Sequence, residues 1–180
     1  MARKLAQEFN RVAKCPDAPP YEPGEWNSAS IQGMNNCYAY AVDDRRTTRD
    51  WPQPGGAVGR PYQCYTGPEV ARAAIMDGLI PVGEPVQKPG HYLVALLISP
   101  HDDYHWARQD DDGGWSHKAG NGEVSRLDKS GDPIVDPRAA NWGRYSFFCY
   151  FHVPKGGIKV EIRDGGKVRA PAPVPKGFGI

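Results

Sequence analysis

The chain has 180 residues and a formal net charge of +1, with its basic residues dispersed, which excludes a nucleic-acid-binding stripe or a charged membrane-binding block. An apolar fraction of 39%, with 21 Gly and 18 Pro, favours a loop-rich α+β domain over a helical bundle. The longest apolar run, Tyr92 to Ile98, is too short to span a bilayer. We therefore expect a single domain with its own core. We expect it to bind neither nucleic acid nor a membrane.

The first 14 residues predict an amphipathic helix, because Leu5, Phe9 and Val12 recur at helical spacing. They contain no apolar stretch typical of a Sec signal peptide, so we expect a cytoplasmic protein or export by a specialised route. Residues 15–30 are rich in Pro, Gly and polar side chains and predict a loop.

Two further helices have recognisable ends. Asn35 or Asn36 can cap a helix that begins near Cys37. Thr66 is a suitable N-cap for a second helix, which Gly78 ends.

Strands follow from residue 91 onward. Residues 91–99 are dense in aliphatic side chains, as in a central strand. Residues 104–109 and 115–119 flank an Asp-Asp-Asp-Gly-Gly turn, and residues 145–153 form a last, aromatic core strand. Shorter strands are predicted at 124–127 and 134–135.

Cys37 is a candidate nucleophile, because it falls at the predicted start of a helix. The partial positive charge there stabilises a thiolate by roughly 1 kcal/mol, and free backbone N–H groups can hold an oxyanion. A thiolate also needs a base that accepts its proton.

Two histidines on the predicted hairpin can supply that base and its support. Alternation places His105 and Ala107 on one strand face, and the loop length decides where His117 points. A two-residue loop turns His117 away from His105. A three-residue loop, which Gly113 favours by tolerating a left-handed conformation, pairs His117 with Ala107 and places both imidazoles on one face.

This order of residues resembles the papain-like cysteine peptidase superfamily: a cysteine at a helix start, then a histidine on a strand, then a polar residue on the next strand. A histidine in the third position is most similar to its NlpC/P60 branch, which hydrolyses amide bonds in peptidoglycan peptides. The resemblance covers residues 30–153. It implies Cys37 as nucleophile, His105 as base and His117 as the residue that orients the base. It also implies an α+β fold with N-terminal helices packed on a mostly antiparallel sheet.

Other sites compete with this one. His101, Asp102, Asp103 and His105 are potential ligands of a divalent ion, but Asp and His are common at such loop-to-strand junctions. His91 can also act as a base, although no partner lies at hairpin distance. We expect no metal and no cofactor.

The sequence thus predicts a single papain-like domain over residues 1–169, with an N-terminal helix and loop at 1–30, a catalytic core at 31–153 and a flexible Pro-rich tail at 170–180. The predicted function is a cysteine amidohydrolase or peptidase that cleaves a peptide or amide substrate through an acyl-thioester. Two alternatives use the same fold. One is a non-catalytic binding domain, and the other is an acyltransferase or deamidase with the same Cys–His pair.

Overall fold

A six-stranded antiparallel sheet organises the computed structural model, which describes residues 13–49 and 51–160. The predicted N-terminal helix at Leu5, Phe9 and Val12 and the predicted tail at 170–180 lie outside the described residues. The strands are β1 (Ile80–Val82), β2 (His91–Ser99), β3 (Asp103–Gln109), β4 (Trp115–Lys118), β5 (Val124–Ser125) and β6 (Ser146–Pro154). Their spatial order is β1-β6-β2-β3-β4-β5, and each neighbouring pair is antiparallel. The predicted α+β class and antiparallel sheet are confirmed.

Three α-helices accompany the sheet within the described ranges: α1 (Pro23–Trp26), α2 (Cys37–Ala41) and α3 (Gly67–Asp77). Single 3₁₀ turns lie at Gln32–Met34 and Gly56–Val58. The α1 helix and strand β1 were not predicted, because each is only one turn or three residues long and leaves little periodic signal.

Helix α2 begins where the sequence predicts it. The side-chain oxygen of Asn36 accepts a hydrogen bond from the backbone N–H of Ala39 at 2.9 Å, which is a helix N-cap. The Asn36 amide nitrogen donates to the Pro52 carbonyl at 2.8 Å and so ties the helix start to the loop at 51–54. All five residues of α2 are buried.

Helix α3 runs between Thr66 and Gly78, as predicted. Gly78 has a φ of +110° and its N–H reaches the carbonyls of Ala74 and Ile75, a left-handed C-terminal cap. Thr66 occupies the N-cap position, although its hydroxyl makes no capping hydrogen bond.

Strand β2 is buried along its length because both sheet faces are covered. Its residues Tyr92, Val94 and Leu96 pack in the cluster that includes residues of α2 and α3. The intervening residues Leu93 and Ala95 belong to a second cluster, covered by loop residues that include Ile134 and Trp142. This alternation follows the two-residue period of a strand.

The hairpin of β3 and β4 has the predicted three-residue loop. Asp110 N–H donates to the Gly114 carbonyl at 2.8 Å, and Gly113 has a φ of +88°. Ala107 lies opposite His117, as the odd loop length requires.

The segment after β4 departs from prediction. The strand predicted at 124–127 ends at Ser125. Residues 134–135 form no strand, and the nearest pairing is an isolated bridge between Leu127 and Pro133. The Asp128 carboxylate explains this, because it accepts hydrogen bonds from the backbone N–H groups of Ser130, Asp132 and Asn141 and bends the chain into a loop.

Candidate functional site

A cavity of about 420 Å³ lies where α2, β3, β4 and the loops around residues 51–65 and 128–145 converge. Cys37, His105 and His117, the three side chains singled out from the sequence, all line it. A cavity of this size falls in the range of small-molecule sites, about 300–1,000 Å³.

Cys37 is the first residue of α2 and is only 6% exposed. Burial raises the pKa of its thiol to about 12, and the nearby Asp103 carboxylate acts in the same direction. The backbone amides of Trp106 and Tyr38 favour the thiolate but do not compensate for the burial. The backbone amides at the helix start thus act in the predicted direction on the pKa, but burial outweighs them.

The two imidazoles form a hydrogen-bonded pair. His105 Nε2 lies 2.8 Å from His117 Nδ1, and His117 Nε2 lies 3.0 Å from the Leu127 carbonyl oxygen. Burial sets the pKa of His105 well below its usual value, and His117 and Lys129 lower it further. The pKa of His117 is also lowered, mainly by burial, so both rings are neutral at pH 7.

The Leu127 carbonyl defines the proton positions of this pair. A carbonyl only accepts, so His117 carries its proton on Nε2 and offers Nδ1 as an acceptor. His105 must then carry its proton on Nε2, which leaves His105 Nδ1 as an unprotonated acceptor. No hydrogen bond joins this nitrogen to the Cys37 sulfur or to another group in the described part of the chain.

One wall of the cavity consists of tyrosines. The ring centroids of Tyr62 and Tyr104 lie 5.2 Å apart at 81°, and Tyr65 lies 5.3 Å from Tyr62. The hydroxyls of Tyr62 and Tyr104 both donate to the Gln53 side-chain oxygen. These contacts join residues from three separate segments of the chain into one surface.

Trp51 and the loop that follows it extend this wall. Trp51 Nε1 donates to the Gly33 carbonyl at 3.1 Å. Further along, the Asp77 carboxylate accepts hydrogen bonds from the N–H groups of Gly55 and Ala57 and from the Tyr38 hydroxyl. The loop is therefore anchored to both α2 and α3.

A second aromatic wall is formed by Trp142 and Tyr145, which flank the imidazoles. The His105 ring lies 5.8 Å from Trp142 and 5.5 Å from Tyr145. The Trp142 indole nitrogen donates to the Pro137 carbonyl at 2.8 Å, and the Tyr145 hydroxyl donates to Asp103 at 2.7 Å. Both rings are thus fixed by hydrogen bonds directed away from their faces.

Three charged side chains reach the cavity. Asp103 accepts from Tyr145 and pairs with Arg144 at 3.0 Å, and Asp128 is held by backbone N–H groups. Lys129 is exposed, and in residues 13–49 and 51–160 its ammonium group has no hydrogen-bond or ion-pair partner.

His91, the competing base, lies elsewhere, whereas Asp103 and His105 of the competing metal-ligand set line the cavity. His91 Nδ1 lies 3.1 Å from the Pro89 carbonyl oxygen, and its ring packs against His152, outside the cavity. Cys64 is exposed and Cys149 is buried, and neither lines the cavity. Among the described residues, no three His, Cys, Asp or Glu side chains are grouped so that they could hold a metal ion. No helix in that part of the chain is both long and apolar enough to cross a membrane.

Sequence reasoning did not assign Gln53, Tyr62, Tyr65, Lys129 or Tyr145 to the site. They come from loops distant in the sequence, and no motif marks them. Of the five tryptophans, Trp51 and Trp142 line the cavity, whereas Trp26, Trp106 and Trp115 lie in the buried core.

Comparison with known proteins identifies a relative from the clam Ruditapes philippinarum, the insoluble matrix shell protein 1. The two sequences are 44% identical over 128 residues, which is 71% of this chain and 84% of the relative. The chain belongs to the family of insoluble matrix shell protein 1. No family model matches the chain, and no solved structure matches it.

The prediction of a cysteine amidohydrolase or peptidase is therefore wrong. The relative is named as an insoluble matrix protein of shell, not as a hydrolase, a thiol protease, an amidase or an enzyme of peptidoglycan. The catalytic roles assigned to Cys37, His105 and His117 stay predictions.

Proposed function

We propose that the chain is a non-catalytic binding domain on a papain-like fold, and that its cavity holds a component of an insoluble matrix. Two features support the papain-like arrangement. Helix α2 bears Cys37 and packs against β3, and His105 and His117 follow on adjacent antiparallel strands. In this proposal the chain has the papain-like arrangement but does not carry out the amide hydrolysis of papain-like peptidases.

The protonation states of the cavity support a role in binding. A nucleophilic cysteine needs a lowered pKa and a base strong enough to take its proton, whereas burial raises the pKa of the Cys37 thiol to about 12 and makes His105 a weak base by lowering its pKa. Acyl transfer and deamidation need the same thiolate and are disfavoured for the same reason.

The observation that carries the proposal is the 44% identity to the insoluble matrix shell protein 1 across most of that protein. A matrix protein must hold other matrix components. The cavity has the composition of a recognition site, since it combines aromatic walls with a few convergent polar groups.

Co-sedimentation tests this proposal. The full chain is incubated with the insoluble matrix fraction of Ruditapes philippinarum shell, and the bound fraction is measured over a range of protein concentrations. We expect saturable binding, weakened by Tyr145→Ala, which removes an aromatic face from the cavity.

Phe148→Ala is the matched control, because Phe148 is an exposed aromatic residue three positions along that does not line the cavity. Binding that does not saturate, or that both variants reduce equally, contradicts a role for the cavity.

A further inference from the structure

The charges around the cavity define the ligand class, on the premise that the cavity is a binding site as proposed above. Both carboxylates that reach it are already engaged, Asp103 by Arg144 and Tyr145 and Asp128 by backbone N–H groups. Because Arg144 neutralises Asp103, the charges that remain are the Asp128 carboxylate and the Lys129 ammonium group, which have opposite signs. A cationic ligand meets the Lys129 charge and an anionic ligand meets the Asp128 charge, so neither finds the unopposed counter-charge that it needs. The charge distribution therefore favours an uncharged ligand.

Two polar groups of the cavity have unused hydrogen-bonding capacity of complementary kinds. His105 Nδ1 is an acceptor, because His105 Nε2 and both nitrogens of His117 are used in the chain that ends at the Leu127 carbonyl. The Lys129 ammonium group is a donor. A ligand that satisfies both must present donor and acceptor groups close together, as a hydroxyl group does.

Aromatic rings line the cavity in two groups. Tyr62 and Tyr65 belong to one wall, and Trp142 and Tyr145 belong to the second. The hydrogen bonds of Trp142 and Tyr145 are made at their edges. Trp142 is only 5% exposed and the Arg144 guanidinium lies 5.0 Å from the Tyr145 ring centroid, so the part of the Tyr145 ring that Arg144 does not cover is the main surface for contact with flat, C–H-rich groups.

We infer that the cavity binds an uncharged saccharide, whose ring face packs on the aromatic walls while its hydroxyl groups donate to His105 Nδ1 and accept from Lys129. Sugar rings combine an apolar C–H face with hydroxyls that donate and accept. A peptide backbone also donates and accepts, but it offers no comparable ring face to two aromatic walls. His117 acts as a positioning residue, because its hydrogen bond keeps the proton of His105 on Nε2 and the acceptor at Nδ1.

The test is a titration of the full chain, followed by NMR, with four neutral tetrasaccharides: cellotetraose, laminaritetraose, xylotetraose and N-acetylchitotetraose. A heparin tetrasaccharide and gelatin peptides serve as anionic and peptide comparators. We expect at least one neutral saccharide to shift the resonances of cavity residues saturably. Tyr145→Ala should weaken its binding about tenfold, whereas Tyr145→Phe, which keeps the ring, and Phe148→Ala should not.

The positioning role of His117 has its own readout. Gln at this position can still accept from His105 Nε2, whereas Leu cannot. His117→Gln should therefore retain saccharide binding, and His117→Leu should lose it while unfolding at a similar temperature. Equal loss in both variants overturns the positioning role.

Two outcomes overturn the inference. In one, no neutral saccharide shifts the cavity resonances although the chain still sediments with the shell matrix, so the binding function stands and the ligand class is wrong. In the other, heparin or gelatin peptides occupy the cavity in place of the saccharides. Loss of matrix binding altogether instead refutes the proposed function.

Discussion

His105 Nε2 and His117 Nδ1 lie 2.8 Å apart on neighbouring strands, within hydrogen-bonding distance of each other. The second nitrogen of His117, Nε2, donates to the Leu127 carbonyl. This pair resembles the base and orienting residue of a cysteine hydrolase. However, the Cys37 thiol that lines the same cavity is buried and protonated, and burial lowers the pKa of both rings. In the proposed binding function, the same geometry supplies a fixed hydrogen-bond acceptor at His105 Nδ1.

The reactivity of the cysteines provides a first prediction. With iodoacetamide at pH 7.5, Cys64 should be alkylated first, because it is exposed, whereas Cys37 should react slowly, because burial raises its pKa to about 12. Peptide mass spectrometry over a time course measures both rates. A Cys64→Ser variant controls for cross-labelling, and preferential labelling of Cys37 in that variant contradicts the predicted protonation state.

Acid should destabilise the fold through His105. Its pKa is lowered in the native state, so the unfolded chain binds a proton near pH 6.5 while the native chain does not. The free energy of unfolding is therefore highest above pH 6.5 and falls as the pH drops below it. From pH 7 to pH 5.5 the contribution is about 1 kcal/mol.

Urea unfolding of the wild type and His105→Gln at the two pH values isolates this effect. Burial raises the pKa values of Asp77 and Asp110 to about 6, which acts in the opposite direction on stability, but equally in both proteins. The wild type should lose about 1 kcal/mol more than the variant. Parallel pH dependences in the two proteins are incompatible with a neutral, buried His105.

The turn between β3 and β4 gives a prediction of stability. Gly113 has a φ of +88°, a conformation that β-branched residues avoid. Gly113→Val should destabilise the chain by about 1–2 kcal/mol, measured by thermal unfolding. Gly113→Asn is the matched control, since Asn tolerates this conformation better, and an equal loss in both variants contradicts the explanation.

The parts of the site that follow local rules were predictable from the sequence. The Asn36 cap and the start of α2 follow from side-chain hydrogen bonding, and the shared face of His105 and His117 follows from the three-residue loop and the two-residue period of a strand. In each case the decisive residues lie within about a dozen positions of one another.

The electrostatics of the site were not predictable in the same way. The pKa of Cys37 depends on its burial and on Asp103, 66 positions away, and no local pattern reports such contacts. The tyrosine wall likewise depends on Gln53, which links Tyr62 and Tyr104 from different segments. The function could not be predicted for the same reason, because the same side-chain types at the same spacing are compatible with either a reactive or a buried thiol.

The account depends most directly on whether the Cys37 thiol is needed, and a single measurement decides this. Co-sedimentation of Cys37→Ser with the shell matrix fraction is compared with that of the wild type and Tyr145→Ala. We predict that Cys37→Ser binds with the wild-type saturation curve while Tyr145→Ala binds more weakly, because the cavity's aromatic faces rather than its thiol hold the ligand. If Cys37→Ser abolishes matrix binding and leaves the fold intact while Tyr145→Ala has no effect, the non-catalytic account is contradicted.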